Sequence, residues 1–449
     1  MSFIANTRSD RAIMLEALGL ESTDRLFDEI PADRRFPKLE LPPALSEPEL
    51  LAELGRLAGR NAAGAGWSVF AGAGAYRHFI PAAVDALASR GEFLTAYTPY
   101  QPEASQGTLR ALFEYQSLTA GLLGMQVVNA SHYDGATALA EAVLMAVKAT
   151  GRSKVLLSAG LHPDQAAVVE SYTRELGIEL VGPAGGAERP EVLAAGIDGE
   201  TAAVAAAFPT FFGGLYDYRG LARAAHERGA LFIAAVDPIS LALFSPPGEW
   251  GADLVAAEGQ CLGSPVSFGG PYLGILATNG QLVRRLPGRL AGMTVDQRGR
   301  PGYVLTLCTR EQHIRREKAT SNICSNQGLM ALRAVIYLSL LGKHGLRRVA
   351  ELCLTRARYA AAELARLPGF GVSAGGSGAS QPFFKEFTLE CPKPAALLIE
   401  RLAEKKLVPG VALERWFPER KNELLVCVTE LNGRAEIDAL AAALKEAAR

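Results

Sequence analysis

The stretch LFIAAVDPISLALFSPPGEWGADLVAAEGQCLGSPVSFGGPYLG, residues 231–274, decides the predicted fold. Its opening run is entirely apolar, which is typical of a strand buried on both faces, and the run ends at an acid, Asp237. A break rich in proline and glycine leads to a second apolar run over 253–257, and Gln260 follows shortly after it. A turn-rich segment over 263–274 closes the stretch. Two buried strands that both end in polar residues predict a site at one edge of a sheet.

Strand and helix signals alternate on the N-terminal side of this stretch. Such an alternation predicts a mostly parallel sheet with helices on both of its faces. Because ligands bind at the carboxyl ends of parallel strands, we expect residues 129–137, 208–214, Asp237 and Gln260 to lie close together. The predicted strands are 125–129, 154–158, 179–181, 202–208 and 231–236, and the predicted helices between them are 138–149, 163–176 and 219–228.

The chain is predicted to have three parts, namely an N-terminal arm over 1–45, a large α/β domain over 46–330 and a small C-terminal α+β domain over 331–449. The arm combines a short helical pattern with a proline-rich connection. Ser46, with a glutamate three residues later, is typical of the start of a helix. A long helical pattern leads into the small domain and breaks at 342–345, and strand and helix signals then alternate to the end of the chain.

The composition excludes several classes of protein. A net charge of −1 gives no sequence-wide basic field that would attract nucleic acid or anionic lipid. The 6 cysteines have no CxxC spacing and no histidine at ligand spacing, so we predict reduced thiols, with neither a disulfide frame nor a metal site. The first residues include acids where a signal peptide needs an apolar block, and no apolar run approaches the ~20 residues of a membrane span. We therefore expect a soluble, cytoplasmic protein.

A stiff polar loop precedes the predicted helix that starts beyond residue 103. The sequence YTPYQPE, residues 97–103, places prolines on both sides of Tyr100 and Gln101. These prolines keep the segment extended or turned and prevent it from joining the helix. The loop therefore presents hydroxyl, amide and carboxylate groups at the N-terminus of a helix.

A second loop, SHYDGATA at residues 131–138, also leads into a predicted helix. The backbone N–H groups of Gly135, Ala136 and Thr137 lie where a helix N-terminus receives a phosphate. Many sheet-to-helix turns have the same appearance and bind nothing, so both readings stay open. His132 in this loop either stacks on a bound ring or is an ordinary hydrogen-bonded histidine.

The positions of the lysines limit what Asp237 can do. In enzymes that use pyridoxal phosphate (PLP) on a large α/β domain, an acid at a strand end pairs with the pyridine nitrogen, and a lysine after a later strand forms the Schiff base. Asp237 either has the first role or caps the next turn. No lysine occurs between Lys154 and Lys318, and Gln260 stands where the Schiff-base lysine is expected. The chain thus lacks the covalent anchor of an autonomous PLP enzyme of the usual kind.

Four long motifs carry a resemblance to a known family. In these motifs, and over essentially the whole chain, the sequence resembles the glycine cleavage system P-protein, and in particular subunit 1 of its two-gene form. The resemblance implies a fold-type-I PLP-dependent transferase architecture. It also implies decarboxylation of glycine on PLP and transfer of the aminomethyl group to lipoylated H-protein. The motifs are YTPYQPEASQGTLRALFEYQ (97–116), ASHYDGATALAEA (130–142), EGQCLGSPVSFGGPYLG (258–274) and REKATSNICSNQ (316–327).

The resemblance further implies an alpha2-beta2 assembly with a homologous subunit 2. In that assembly subunit 2 supplies the lysine and carries the PLP, which accounts for Gln260 in this chain. The cradle around Gly135, Ala136, Thr137 and Asp237 is then a vestige without a covalent cofactor. We expect neither nucleic acid nor a membrane among the partners.

Under this resemblance, residues 97–103 match a family loop that reaches the active site at the interface between the two subunits. The site residues that it implies are Thr98, Tyr100, Gln101 and Glu103. Their hydroxyl and amide groups are expected on the cofactor phosphate or the glycine carboxylate, with Glu103 orienting them. The alternative is a loop that packs at the interface and touches no ligand.

Further candidates come from the other two motifs. Ser321, Asn322 and Asn326 are either site residues or plain helix-capping residues. Gly269, Gly270 and Pro271 are expected to form a tight turn that allows close approach of the subunits. For the function of the whole chain, the leading hypothesis is an obligate subunit of a glycine decarboxylase. The alternatives are a scaffold that docks H-protein without active-site residues of its own, and a relative that acts on another amino acid.

Overall fold

The computed structural model describes residues 6–61, 66–182, 189–319, 321–323, 326–374 and 381–449. The chain forms two compact units, residues 1–61 and 62–449. The predicted domain boundaries at 45/46 and 330/331 stay predictions.

The first unit contains two α-helices that each begin with a capping box, α1 (Arg8–Leu18) and α2 (Glu47–Ala58). In α2 the Glu49 carboxylate accepts the backbone N–H of Ser46 at 2.8 Å, so the predicted helix start is confirmed. No residue of either helix is buried, although α2 carries a row of leucines. The exposed leucines of α2, called the α2 face below, are Leu50, Leu51, Leu54 and Leu57.

The second unit contains the remaining α-helices and all the strands. The helices are α3 (Ala82–Ala88), α4 (Gly91–Leu94), α5 (Gln106–Leu123), α6 (Gly135–Thr150), α7 (Pro163–Thr173), α8 (Pro190–Ala195), α9 (Arg219–Glu227), α10 (Pro247–Trp250), α11 (Gln312–Arg315), α12 (Gly328–Ala365), α13 (Ala395–Ala403) and α14 (Arg434–Ala447). The strands are β1 (Ser68–Val69), β2 (Val127–Val128), β3 (Lys154–Leu157), β4 (Glu179–Val181), β5 (Thr201–Phe208), β6 (Leu231–Val236), β7 (Leu254–Glu258), β8 (Gly274–Thr278), β9 (Leu290–Val295), β10 (Pro301–Thr306), β11 (Gly371–Ser373), β12 (Glu386–Glu390), β13 (Leu407–Val408), β14 (Val411–Ala412) and β15 (Glu423–Cys427).

A seven-stranded sheet in the order β2-β8-β7-β6-β5-β3-β4 forms the centre of this unit. Strands β3 to β7 pair in parallel, whereas β8 runs antiparallel to both β2 and β7. Every residue of β5 is buried, and β6 is buried apart from its first residue, because small and branched apolar side chains fill both faces. The predicted mostly parallel sheet is therefore confirmed, and the opening stretch supplies its two middle strands, β6 and β7.

Two features of this region lie outside the prediction. Strand β8 begins at Gly274, the last residue of the segment that we interpreted as a loop. Strands β9 and β10 form an antiparallel hairpin, for which no strand was predicted. Burial does not alternate along β9, whose first two residues are buried and whose last three are exposed, so its period-two pattern is weak. Both strands of the hairpin contact α5.

A smaller antiparallel sheet, β11-β12-β15-β14, packs with α13, α14 and the second half of α12 around its own core. Strand β1 pairs in parallel with β13, and the backbone N–H of Cys427 donates to the carbonyl of Phe70. The chain that follows β1 is thereby held against the C-terminal sheet. This placement brings residues 73–78 over the carboxyl ends of β6 and β7, as described below.

Helix α12 breaks at Gly342, which has a left-handed φ of 56°, within the predicted break. Within the described ranges it is the one helix long and apolar enough, by length and composition, to cross a membrane. Half of its most apolar window is buried inside the protein, and a core helix passes the same test. This helix is weak evidence for a membrane span.

Gly213 holds the turn after β5 against the first residue of β12. Its φ is +85°, and a Cβ built on it would lie 1.9 Å from the backbone oxygen of Glu386. We expect Gly213→Ala to lower the free energy of unfolding by ~3 kcal/mol, because a strained φ and a backbone clash add together. Urea unfolding measures this change.

Gly220 provides the matched control for this substitution. It lies in the first turn of α9, and an added Cβ would meet no atom within 4 Å. Gly220→Ala should leave the unfolding midpoint unchanged or raise it slightly. Equal effects of the two substitutions would contradict the close approach of Gly213 to Glu386.

Candidate functional site

The predicted site at the carboxyl edge of the sheet exists as a small cavity of about 80 Å³. Thr210, Asp237 and Glu258 line it from the ends of β5, β6 and β7, and Gly135 lines it from the start of α6. Residues 129–137, 208–214 and Asp237 therefore meet here as expected, whereas Gln260 is not among the residues that line the cavity. Further walls come from distant parts of the chain, which supply Tyr76, His162, Lys385 and Glu386.

A buried ion pair fills the deep end of this cavity. The Nζ of Lys385 lies 2.7 Å from Oδ2 of Asp237, and their side chains are 2% and 8% exposed. Burial by itself lowers the pKa of Lys385, but the charge of Asp237 opposes this effect and the net pKa is raised above that of a free lysine. Lys385 is therefore an ammonium ion at neutral pH, and its Nζ also lies 3.4 Å from the centre of the Tyr76 ring.

Sequence reasoning missed Lys385 because the search for a lysine stopped before the C-terminal part of the chain. Lys385 precedes β12, far from the large sheet in sequence. One signal was present, since the sequence PFFKEF at 382–387 places a lysine inside an apolar strand-like run. A lysine in such a run is almost never buried without an acidic partner.

The buried groups continue beyond Lys385 as a second cluster. Nε2 of His78 lies 3.3 Å from Nζ of Lys385, and Nδ1 of His78 lies 2.7 Å from a Glu430 oxygen. The thiol of Cys353 donates to the same carboxylate oxygen at 3.4 Å. His78, Cys353 and Glu430 are ligand types for a metal. Burial raises the pKa of the Cys353 thiol and the ammonium of Lys385 is adjacent, so we assign no metal to this cluster.

Gln260 hydrogen-bonds both backbone groups of Tyr76. Its Oε1 accepts the Tyr76 N–H at 2.8 Å, and its Nε2 donates to the Tyr76 carbonyl at 2.9 Å and to the Ser264 carbonyl at 2.7 Å. The residue is 1% exposed. A lysine at position 260 could donate to the Tyr76 carbonyl but could not accept the Tyr76 N–H. Only an amide makes both hydrogen bonds that hold Tyr76 over Lys385.

The N-terminus of α6 is bonded to carboxylates of the chain itself. Oε2 of Glu258 accepts the N–H of Gly135 at 2.9 Å, and Oδ1 of Asp134 accepts the N–H of Thr137 at 2.8 Å. The other oxygen of Glu258 accepts two more backbone N–H groups, from Gln260 and Leu273. Burial raises the pKa of Glu258 to about 7, and these backbone hydrogen bonds oppose the rise.

His132 lies at a second cavity, of about 680 Å³, between α6, α7 and residues 317–319 and 321–323. Burial lowers its pKa to about 3, and neither ring nitrogen has a hydrogen-bond partner among the residues that the structure describes. Glu141 lines the same cavity, and burial raises its pKa to about 6. Ser321 donates to Glu141 at 2.5 Å, so the structure brings Ser321 and Asn322 to the α6 face rather than to Asp237.

The loop over 97–103 and Asn326, from the motif over 316–327, lie at a third cavity, of about 220 Å³. Thr98 and Asn326 both line this cavity, at the start of α12. Tyr97 and Tyr100 are 76% and 54% exposed, and Gln101 and Glu103 are exposed as well. Whether these side chains contact a ligand stays a prediction.

Arg289 contacts the loop over 97–103 through Tyr100. The sequence did not predict this contact. It is 2% exposed, and its Nη2 donates to the hydroxyl oxygen of Tyr100 at 3.0 Å. The Glu311 carboxylate lies 3.7 Å from its Nε, which balances the buried charge. Arg289 is one of several arginines in a basic segment, and only the tertiary structure distinguishes it.

The raised pKa of Glu258 predicts a pH-dependent stability. Its folded value of about 7 exceeds the free value of 4.5, so the folded state binds more protons between these limits and the free energy of unfolding falls as the pH rises. Relative to Glu258→Gln, the wild-type chain should lose up to ~3 kcal/mol of stability between pH 5 and pH 7.5. Urea unfolding at both pH values measures this difference.

The control is the exposed Glu404, which lies outside the cavity. Glu404→Gln should give a pH curve parallel to that of the wild-type chain. Parallel curves for Glu258→Gln and the wild type would mean that the Glu258 carboxylate is not held in a desolvated site.

Comparison with known proteins gives one family over the full length. A family model described as "Glycine cleavage system P-protein" matches residues 1–444. A "Probable glycine dehydrogenase (decarboxylating) subunit 1" of Thermomicrobium roseum is 50% identical over 451 residues, covering 100% of both sequences. A crystal structure of glycine decarboxylase (P-protein) of the glycine cleavage system, in inhibitor-bound form, aligns with a TM-score of 0.90 and 43% identity over 100% of both chains.

A more distant structure shows the fold alone. A mutant of the C-DES protein with glycine covalently linked to its PLP cofactor aligns with a TM-score of 0.61 and 15% identity, over 85% of this chain and 97% of that one. The predicted fold-type-I PLP-dependent architecture is therefore confirmed. The match over the full length shows more than the fold: the chain belongs to the glycine cleavage system P-protein family, among relatives that are subunit 1 of a glycine dehydrogenase (decarboxylating).

Proposed function

We propose that this glycine decarboxylase subunit carries no covalently bound PLP and completes the active site of subunit 2. The observation that carries the proposal is Gln260, which stands at the expected anchor position with both ends of its amide bonded to backbone groups. The partner subunit would then hold the PLP and the Schiff-base lysine, and this chain would be inactive alone. We further propose an alpha2-beta2 assembly in the cytoplasm.

The state of Lys385 supports the absence of a covalent cofactor on this chain. Schiff-base formation needs a neutral amine, and Lys385 is kept charged by Asp237 at 2.7 Å. Its amine also points at the carboxylate that would meet a pyridine nitrogen, which is the opposite end of the ring from a Schiff base. Lys385 is therefore no substitute for the missing anchor.

The exposure of residues 97–103 supports their contribution to another chain's site. Tyr100 stands on the buried guanidinium of Arg289, which lies 5.1 Å from the centre of its ring. Next to the loop, Gln106 exchanges two hydrogen bonds with the backbone of Tyr303, so the start of α5 is fixed to β10. The polar tips of the loop are thus exposed on a rigid support, as a preorganised binding loop requires.

In the assembled enzyme, this chain would bind and orient. The hydroxyl groups of Thr98 and Tyr100 and the amide of Gln101 would bond the cofactor phosphate or the glycine carboxylate, and Glu103 would orient them. PLP supplies the electron sink for the loss of carbon dioxide. Lipoylated H-protein would receive the aminomethyl group.

Exposed apolar groups support a permanent partner. The α2 face, defined above, is exposed, and Phe268 is 85% exposed. Phe268 adjoins Gly269 and Gly270, whose φ values of 116° and 136° allow a tight turn. Apolar groups of this size on a surface are typical of a protein interface, and we assign both to contacts with other subunits.

We expect the purified chain alone to release no carbon dioxide from glycine and the complex with subunit 2 to do so. In the complex, Tyr100→Phe should lower kcat/KM by about 10- to 100-fold, because it removes one hydrogen bond to a charged group. Glu103→Gln should also lower kcat/KM. Release of carbon dioxide from labelled glycine, with H-protein present, measures all of these values.

Tyr359→Phe is the matched control, because Tyr359 has a hydroxyl bonded to Asp438 on α14 and lies outside the loop. It should leave kcat/KM unchanged. Full turnover and unaltered glycine affinity in the Tyr100 and Glu103 variants would contradict the active-site role and favour the scaffold alternative. Faster turnover of alanine or serine than of glycine would instead indicate another substrate.

A further inference from the structure

In the cradle at the ends of β5, β6 and β7, side chains of the protein bond the groups that would face a cofactor. In a PLP-binding cradle of this fold, a strand-end acid meets a positive pyridine nitrogen and a helix N-terminus meets a negative phosphate. Here Asp237 meets the ammonium of Lys385 at 2.7 Å, and the N–H of Gly135 meets the carboxylate of Glu258 at 2.9 Å. Each group that would face the cofactor is therefore already bonded to a side chain of the protein itself.

The cavity is also too small for the cofactor. The remaining cavity is about 80 Å³, whereas small-molecule sites have ~300–1,000 Å³. The Tyr76 ring covers Lys385, and the Tyr76 hydroxyl donates to Glu386 at 2.7 Å. The other oxygen of Glu386 accepts the N–H of Ala73 at 2.8 Å, which closes this side of the cavity. The residues present do not fit PLP.

We infer that this chain has replaced the cofactor with its own side chains, Lys385 in place of the pyridine nitrogen and Glu258 in place of the phosphate. The inference goes beyond the proposed function, which rests on the missing anchor at position 260. A cradle that merely lost its lysine would still bind PLP without a covalent bond. A cradle filled in this way excludes PLP and depends on Lys385 for its stability.

The first test removes the internal cation in the purified full-length chain. Lys385→Ala leaves the Asp237 carboxylate buried without a partner, so its thermal midpoint should fall by about 10 °C. The double variant Lys385→Ala, Asp237→Asn removes both charges and should recover part of this loss. Lys405→Ala is the control, because its ion pair with Glu446 is 43% and 69% exposed and its loss should change the midpoint little.

The second test replaces the lost cation from solution. Ethylammonium chloride should raise the thermal midpoint of Lys385→Ala, whereas ethanol, a neutral molecule of similar size, should not. Neither compound should act specifically on the wild-type chain or on the double variant. A midpoint that responds equally to both compounds, or to neither, would overturn the inference.

The third measurement titrates PLP into the wild-type chain. We expect the absorbance of free PLP throughout, and no label on Lys385 after borohydride reduction. Saturable binding of PLP to this chain would overturn the inference, and it would do so even if the heteromeric enzyme behaved as proposed. If neither the single nor the double variant folds, Lys385 acts through packing alone and the charge replacement is wrong.

Discussion

The ion pair between Asp237 and Lys385 is the constraint on which the site region depends. It joins the end of β6 in the large sheet to the residue before β12 in the C-terminal sheet, with both side chains less than a tenth exposed. Two charges in such a place are tolerated only together, since an unpaired buried charge costs about 3–5 kcal/mol. Tyr76, Glu386 and Gln260 surround this ion pair and limit the access of water to it.

The same constraint explains why Gln260 belongs to this cradle. An amine at position 260 would leave the backbone N–H of Tyr76 without its acceptor. The amide instead donates and accepts, carries no charge, and fixes the aromatic ring that lies over the ammonium. The amide at position 260 and the cation at position 385 are therefore consistent parts of one arrangement.

Much of the fold follows from local pattern, and much of the site does not. Strands β4 and β6 have the predicted limits, because a short apolar run between turn residues has few other solutions in an α/β chain. The position of Asp237 at the end of β6 follows from the same pattern. The partners of Lys385 and Arg289 could not be found in this way, since they are far away in sequence and only the packed chain brings them together. The hairpin β9–β10 was hidden for a related reason, because α5 stabilises it and its own pattern is weak.

The cradle and the loop over residues 97–103 differ in how their polar groups are bonded and exposed. At the cradle, Asp237 pairs with Lys385 and Glu258 accepts backbone N–H groups, around a cavity of only about 80 Å³. At residues 97–103, polar side chains are exposed and held on the buried Arg289. A group that binds an external ligand must keep unused hydrogen-bonding capacity at an accessible position. The exposed loop meets this condition and the cradle does not, which is why we place this chain's share of glycine chemistry at the interface with subunit 2.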